Sequence, residues 1–220
     1  MAESGTSLAA AAATAPEQAW LRGWAAGPTE DEGVPLARGT AAPDLRLVDQ
    51  AGEWHQLSEL WRDGPALVMF WRHFGCTCGM ERASLLRTEY EDYLRAGLHP
   101  VVISQADPAR AAAYRREHDL PCLVLSDPDL RAYRAYGVGQ WAPERVLYDA
   151  PPTYWDHPYQ LGAQLQEERR RQGRPMVDDP WRAVAEVVVG RDGRVRLHHA
   201  YQYCEDFPDP RVLVAAAALS

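Results

Sequence analysis

The residues best equipped for chemistry are two cysteines one residue apart, Cys76 and Cys78. They lie in the run Val68-Met69-Phe70-Trp71-Arg72-His73-Phe74-Gly75-Cys76-Thr77-Cys78-Gly79. An apolar stretch there ends in a glycine-containing turn, and a helix is predicted to begin at the thiols. A helix N-terminus presents free N–H groups and the positive end of its dipole, which lowers a thiol pKa and yields a thiolate. A thiolate is both a nucleophile and a soft metal ligand. A lone cysteine is usually just a small buried hydrophobe; a pair at a strand-to-helix switch reads as reactive. Arg72, or a protonated His73, would favour the thiolate of Cys76 further.

Those thiols need elements to carry them. Pro43 to Val48 alternates, turns at Asp49-Gln50-Ala51-Gly52 and continues through Trp54 to Leu57, which predicts a β-hairpin. Ser58 to Trp61 starts a short helix, and Ala66 to Trp71 is a buried strand. A helix from about Gly79 to Arg95 places Leu86, Tyr90 and Leu94 on one face. His99 to Ser104 and Leu120 to Leu125 read as two more buried strands. Asp107-Pro108 and Asp127-Pro128 each read as an Asp cap followed by a helical Pro. Val184 to Val189 and Val195 to Ala200, joined by Gly190-Arg191-Asp192-Gly193, form a second hairpin, and Asp209-Pro210 opens a last helix. The order predicts an α/β protein: a mixed sheet with a parallel βαβ core, a C-terminal antiparallel hairpin, an N-terminal hairpin and helices on both faces.

Residues 1–39 read as tail and linker with a short helix. Met1 to Pro16 is taken as a disordered tail, and Glu17 to Gly27 as amphipathic turns anchored by Trp20, Leu21 and Trp24. Residues 40–220 form the domain, interrupted at 140–181 by an insertion with one helical stretch, Tyr159 to Gln172. Tyr154, Trp155 and Tyr159 are expected to pack it on the domain, and with Tyr148 they would serve as a lid, as a cover of the sheet or as a dimer contact.

The 220 residues carry a net charge of −8, and every basic residue is Arg. An acidic chain is a poor partner for nucleic acid or an anionic membrane surface. No apolar run approaches the length of a membrane span. Without a basic leader at the N-terminus, the expected location is the cytoplasm, where cysteines that matter are redox-active or metal-binding.

The chain resembles the thioredoxin fold and, within it, the peroxiredoxin-like (AhpC/TSA-type) family. The carriers are Ala42-Pro43-Asp44-Leu45 with Asp49 and Gly52, Arg72-His73-Phe74-Gly75-Cys76, Ser126-Asp127-Pro128-Asp129 with Tyr136-Gly137-Val138, and Gly190-Arg191-Asp192-Gly193. The second segment is similar to the motif Arg-His-Phe-Gly-Cys-x-x-Cys. Here the second cysteine is Cys78, and Gly79 stands in its usual place. His73 and Met69 occupy positions that hold Thr or Ser and Pro in typical members, and no Pro precedes Val184 closely enough to be the usual cis-Pro; Pro180 is the nearest.

The resemblance implies that the returning strand of the C-terminal hairpin brings Tyr203, Cys204, Glu205 and Asp206 to the thiol edge. The implied function is a thiol-dependent oxidoreductase without a cofactor. Cys76 attacks a peroxide, disulfide or other small electrophile, and Cys78 or Cys204 resolves the product. A thiol reductant is the implied partner, and a homodimer is compatible with it. Cys76, Cys78, Cys204, Arg72 and His73 are the expected catalytic set, with Trp71, Thr77, Tyr203 and Asp206 lining the pocket. Two alternatives use the same residues. One is a copper or zinc site built from Cys76, Cys78 and Cys204 with Met80 and His73. The other is a non-redox biosynthetic enzyme with Cys76 as covalent nucleophile. Cys122 is read as core, and His198 and His199, adjacent on a strand, face opposite ways.

Overall fold

The computed structural model describes residues 13–219. The expected tail falls largely on residues 1–12, outside the described residues. Beyond it the chain turns helical at once. Thr14 caps α1 (Ala15–Ala26) reciprocally: its hydroxyl accepts the Glu17 N–H, and the Glu17 carboxylate accepts the Thr14 N–H. Pro16 sits in the first turn, where its missing N–H costs nothing. Trp20 and Trp24, one turn apart, stack at 5.3 Å, and Trp24 stacks on Trp181 at 4.7 Å. Residues 13–39 are therefore packed on the domain. The Glu32 carbonyl accepts the Gly139 N–H, and the Val195 carbonyl accepts the Gly39 N–H.

Seven strands form one sheet. In chain order they are β1 (Arg46–Asp49), β2 (Trp54–Gln56), β3 (Ala66–Phe70), β4 (His99–Ser104), β5 (Leu123–Ser126), β6 (Ala185–Val189) and β7 (Val195–Ala200), and across the sheet β2-β1-β5-β4-β3-β6-β7. β3, β4 and β5 run parallel, while β6 is antiparallel to β3 and β7 to β6. This is the expected mixed sheet. The central strands are mostly apolar because both faces are covered, with Glu186 of β6 the buried charge among them. On one face, α2 (Thr77–Arg95), α3 (Pro108–Glu117) and α7 (Pro210–Ala217) pack against Leu67, Met69, Val102 and Val188. On the other, α1 and α4 (Arg131–Ala135) cover Val68, Phe70, Ile103 and Val187.

Caps decide the helix starts. Asp107 and Asp209 accept N–H groups of their own first turns, as expected. Asp127 differs: its carboxylate takes the N–H groups of Arg131, Ala132 and Tyr133, so the helix begins three residues later than the Asp-Pro pair predicts. The buried stripe of α2 also differs from the expected apolar one. It is Cys78, Arg82, Ala83, Leu86 and Tyr93, with a charge in the middle.

The insertion contains α5 (Pro143–Val146), a short 3-10 turn (Pro152–Trp155) and α6 (Pro158–Arg171). Helix α6 lies on α1. A Cβ on Gly162 would sit 2.5 Å from the Trp24 ring, so glycine is what lets the helices meet. The Arg170 guanidinium donates to Glu17 at 2.8 Å across the same contact. Of the aromatics expected to anchor the insertion, only Trp155 does so, against Trp24 and Trp181. Tyr148, Tyr154 and Tyr159 are 56, 44 and 58% exposed.

Candidate active site

Strand β3 ends at Phe70, and the alternation of side chains continues past it. Trp71 therefore goes to the α2 side of the sheet, edge-on to Tyr114 at 6.2 Å, and does not line the thiol pocket as expected. Arg72 goes to the other side, 5% exposed. Its Nη1 donates to the Cys76 sulfur at 3.5 Å and reaches the Cys204 sulfur at 4.0 Å, and its Nη2 donates to the Pro180 carbonyl. Its Nε has no partner. Among the described residues no carboxylate pairs with Arg72. A guanidinium taken out of water is costly without an anion, and the groups here able to become one are sulfurs.

The turn after Arg72 closes through the Cys76 N–H to the His73 carbonyl, 3.0 Å. Cys76 is the N-cap of α2 in extended geometry, and Cys78 lies in the first turn. The pair thus spans cap and helix rather than an extended segment, and its sulfurs stand 2.7 Å apart. Cys204 arrives from the loop after β7, with its thiol 3.7 Å from the Val146 carbonyl. All three sulfurs lie within 4.8 Å of one another.

The three thiols titrate as one unit. The neighbouring Cys204 and Cys78 thiols, then the charge of Arg72, hold Cys76 well below the ordinary thiol range despite its burial. Cys78 is pushed well above it by its bonds to Cys204 and Cys76 and by burial. Cys204 is pushed up to about 12, chiefly by the neighbouring Cys76. The unit is one thiolate solvated by two thiols and a guanidinium. Cys122, buried in the α2-side core, is pushed up to about 12 by burial and takes no part.

His73 is not the second cation that its place in the sequence suggested. Burial first, and the Arg72 charge second, bring its pKa down to about 4, so the ring is neutral. It lines the pocket, its Nδ1 is unpartnered, and it stands edge-on to Trp20 at 6.4 Å.

A cavity of about 230 Å³ opens on the sulfurs, lined in part by Thr77, Glu205, Leu147 and Arg169. Tyr203 and Asp206, expected there, turn away. Tyr203 packs on Tyr148 at the surface, 4.8 Å between rings, and the Asp206 carboxylate accepts the Gln202 N–H beside His199. Glu205, between them, faces the cavity. Met80 also leaves the cluster: two residues beyond Cys78 it is turned by about 200° around the helix, where its sulfur accepts from Arg174 at 2.7 Å. The sequence reading missed Leu147, Arg169, Met176 and the Pro180 carbonyl as parts of the site. Their signal was the position of the insertion immediately before the returning hairpin. The described residues contain no cis peptide, so Pro180 meets Arg72 as a trans residue.

A second buried arginine lies further along α2. Arg82 donates from Nε to Glu186 of β6 at 2.6 Å and from Nη1 to Glu89 at 2.8 Å, and the Tyr201 hydroxyl donates to Glu186 at 2.6 Å. This network ties the helix that bears Cys76 to the strand pair that leads to Cys204.

Sheet order, helix placement and a cysteine at the first helix after β3 define the thioredoxin-like class. The profile of the AhpC/TSA family matches residues 38–152, and the chain belongs to that family. Peroxiredoxin Q, chloroplastic, of Oryza sativa subsp. japonica is 31% identical over 106 residues, 47% of each chain. The same-named protein of Populus jackii is 33% identical over 104 residues, 46% of this chain and 47% of that one. The matches span about half the length of these curated relatives. Among solved structures, the peroxidoxin BcpB from Mycobacterium tuberculosis superposes with a TM-score of 0.59 at 15% identity, over 83% of this chain and 96% of that one. A thiol peroxidase from Chromobacterium violaceum gives 0.53 at 18% identity, over 82% and 85%. These structures share the fold.

Proposed function

We propose that the chain is a thiol-dependent, peroxidase-like oxidoreductase in which Cys76 is the nucleophile. The observation that carries this reading is the burial of Arg72 against sulfur with no carboxylate partner among the described residues. Such a site is stable when Cys76 is a thiolate, and a thiolate in a small cavity suits a small electrophile. Family membership and the names of the relatives point the same way.

In this reading the Cys76 thiolate attacks one peroxide oxygen. The O–O bond breaks, the attacked oxygen passes to sulfur with its hydrogen to give a sulfenic acid, and the leaving oxygen takes a proton from solvent and departs as water or alcohol. Arg72 stays paired with the charge that passes from sulfur to the leaving oxygen. The Cys78 thiol, 2.7 Å away, then attacks the sulfenic sulfur, which gives a disulfide and expels water. Cys204 is the alternative resolving thiol, within 4.8 Å. A thiol reductant returns two electrons and two protons. The neutral His73 ring, Thr77 and Glu205 shape the pocket, and a cytoplasmic location, where such a reductant is present, belongs to the same proposal.

The test is consumption of hydrogen peroxide with dithiothreitol as reductant. Cys76→Ser is expected to lose turnover while remaining folded. Peptide mapping after one equivalent of peroxide should find Cys76 joined to Cys78 or Cys204. Turnover retained by Cys76→Ser would overturn the assignment.

A further inference from the structure

We propose that in its reduced state the trio Cys76, Cys78 and Cys204 is a binding site for one Cu(I) ion. Two of the thiols come from the start of α2 and the third from the loop after β7, so they converge from different elements on one point, within 4.8 Å of one another. At a metal–sulfur distance of about 2.3 Å, three sulfurs around one ion are spaced about 4 Å apart. The trio, all within 4.8 Å, comes near that spacing by side-chain adjustments, among them an opening of the 2.7 Å Cys76–Cys78 approach by about 1 Å at a cap residue.

The donor set selects the ion. Among the described residues, no histidine or carboxylate atom joins the three sulfurs within that radius. Thiolate sulfur suits Cu(I) and zinc alike, but closed zinc sites take four ligands, whereas Cu(I) needs no fourth. Arg72 fits the same conclusion. It would oppose a bare cation, but three thiolates around Cu(I) carry a net double negative charge, and the guanidinium stands 3.5 and 4.0 Å from two of them. Buried on nearly all sides, it offsets part of a charge that the cavity could not otherwise hold. The inference does not require the peroxidase reading. It does mean that a bound ion withdraws Cys76 from peroxide, so the two states exclude each other.

The test uses the full chain, reduced and anaerobic, with no peroxide present, so its failure is separate from failure of the peroxidase proposal. Cu(I) held by a chromogenic chelator is titrated with the protein. One equivalent should leave the chelator, and Cys76 should then resist alkylation. Cys204→Ser should lose roughly tenfold or more in affinity, with its fold checked by circular dichroism. Cys122→Ser should bind as the wild type does. Zn(II) titrated in parallel should be held less tightly. No withdrawal of Cu(I), an unchanged affinity in Cys204→Ser, or a preference for Zn(II) would each overturn the proposal.

Discussion

Arg82 and Arg72 are buried to nearly the same degree, 3 and 5% exposed, on two sides of the same helix start, yet their surroundings are opposite. Arg82 meets two carboxylates and a tyrosine, with Glu186 fully buried beneath it. Arg182, the third buried arginine among the described residues, is likewise paired, with Glu30 and Asp179. Arg72 alone of the three faces only sulfur and a carbonyl. A charge that is already neutralised holds elements in place. A charge left to thiols drives one of them to ionise, and that difference separates a structural network from a site.

The comparison breaks most visibly at Glu186. Glu186→Gln keeps the shape but leaves the Arg82 charge short of its buried partner, and should cost about 3–5 kcal/mol in denaturant unfolding. A loss below about 1 kcal/mol would mean that the network does not stabilise the fold.

Arg72→Met should behave in reverse. Replacing a charge that has no carboxylate partner with an apolar side chain should cost less than about 1.5 kcal/mol. The pH midpoint of Cys76 alkylation, read by mass spectrometry, should rise by roughly one unit or more, because the attraction that favours the thiolate is gone. In both proteins Cys122 should label last. An unmoved midpoint would show that the neighbouring thiols alone ionise Cys76.

A smaller effect sharpens the same point through stability. Folded Cys76 has released its proton below the ordinary thiol value of 9.0, where an unfolded thiol still holds it. The unfolded state then binds more protons, so reduced protein should gain stability as pH rises between 7 and 8. The slope relative to Cys76→Ser should reach up to roughly 1.4 kcal/mol per pH unit. The gain is lost as pH falls through the folded pKa. Parallel curves for the two proteins would contradict a depressed Cys76.

The smallest change is expected at His73. Its pKa of about 4 predicts no imidazole inflection between pH 5 and 8 in an NMR titration, and a Cys76 alkylation profile unchanged in His73→Gln. An inflection near 6.5 would restore it as a second cation.

Much of this was legible in the sequence, because it rests on local rules. Apolar runs and their alternation placed the strands, Asp107 and Asp209 announced their helices, and the glycine turn before Cys76 marked the switch from strand to helix. Cys204 was placed at the same edge because a hairpin must return to where it began. Asp127 escaped the local rule because its carboxylate caps N–H groups further along the chain.

What only the tertiary structure decided concerns burial and partners. Trp71 and Arg72 are neighbours in the chain, but the sheet sends one to each face. Glu205 lines the thiol cavity, while Tyr203 packs on Tyr148 and the Asp206 carboxylate accepts the Gln202 N–H. His73 looks like a cation in sequence and is neutral because Arg72 and the surrounding core deny it a proton. Arg72 and Arg82 cannot be told apart by residue type. Cys204, a partner of the Arg72 charge, lies 132 residues away along the chain, and a pKa depends on distance and solvent exclusion, which only the folded chain fixes.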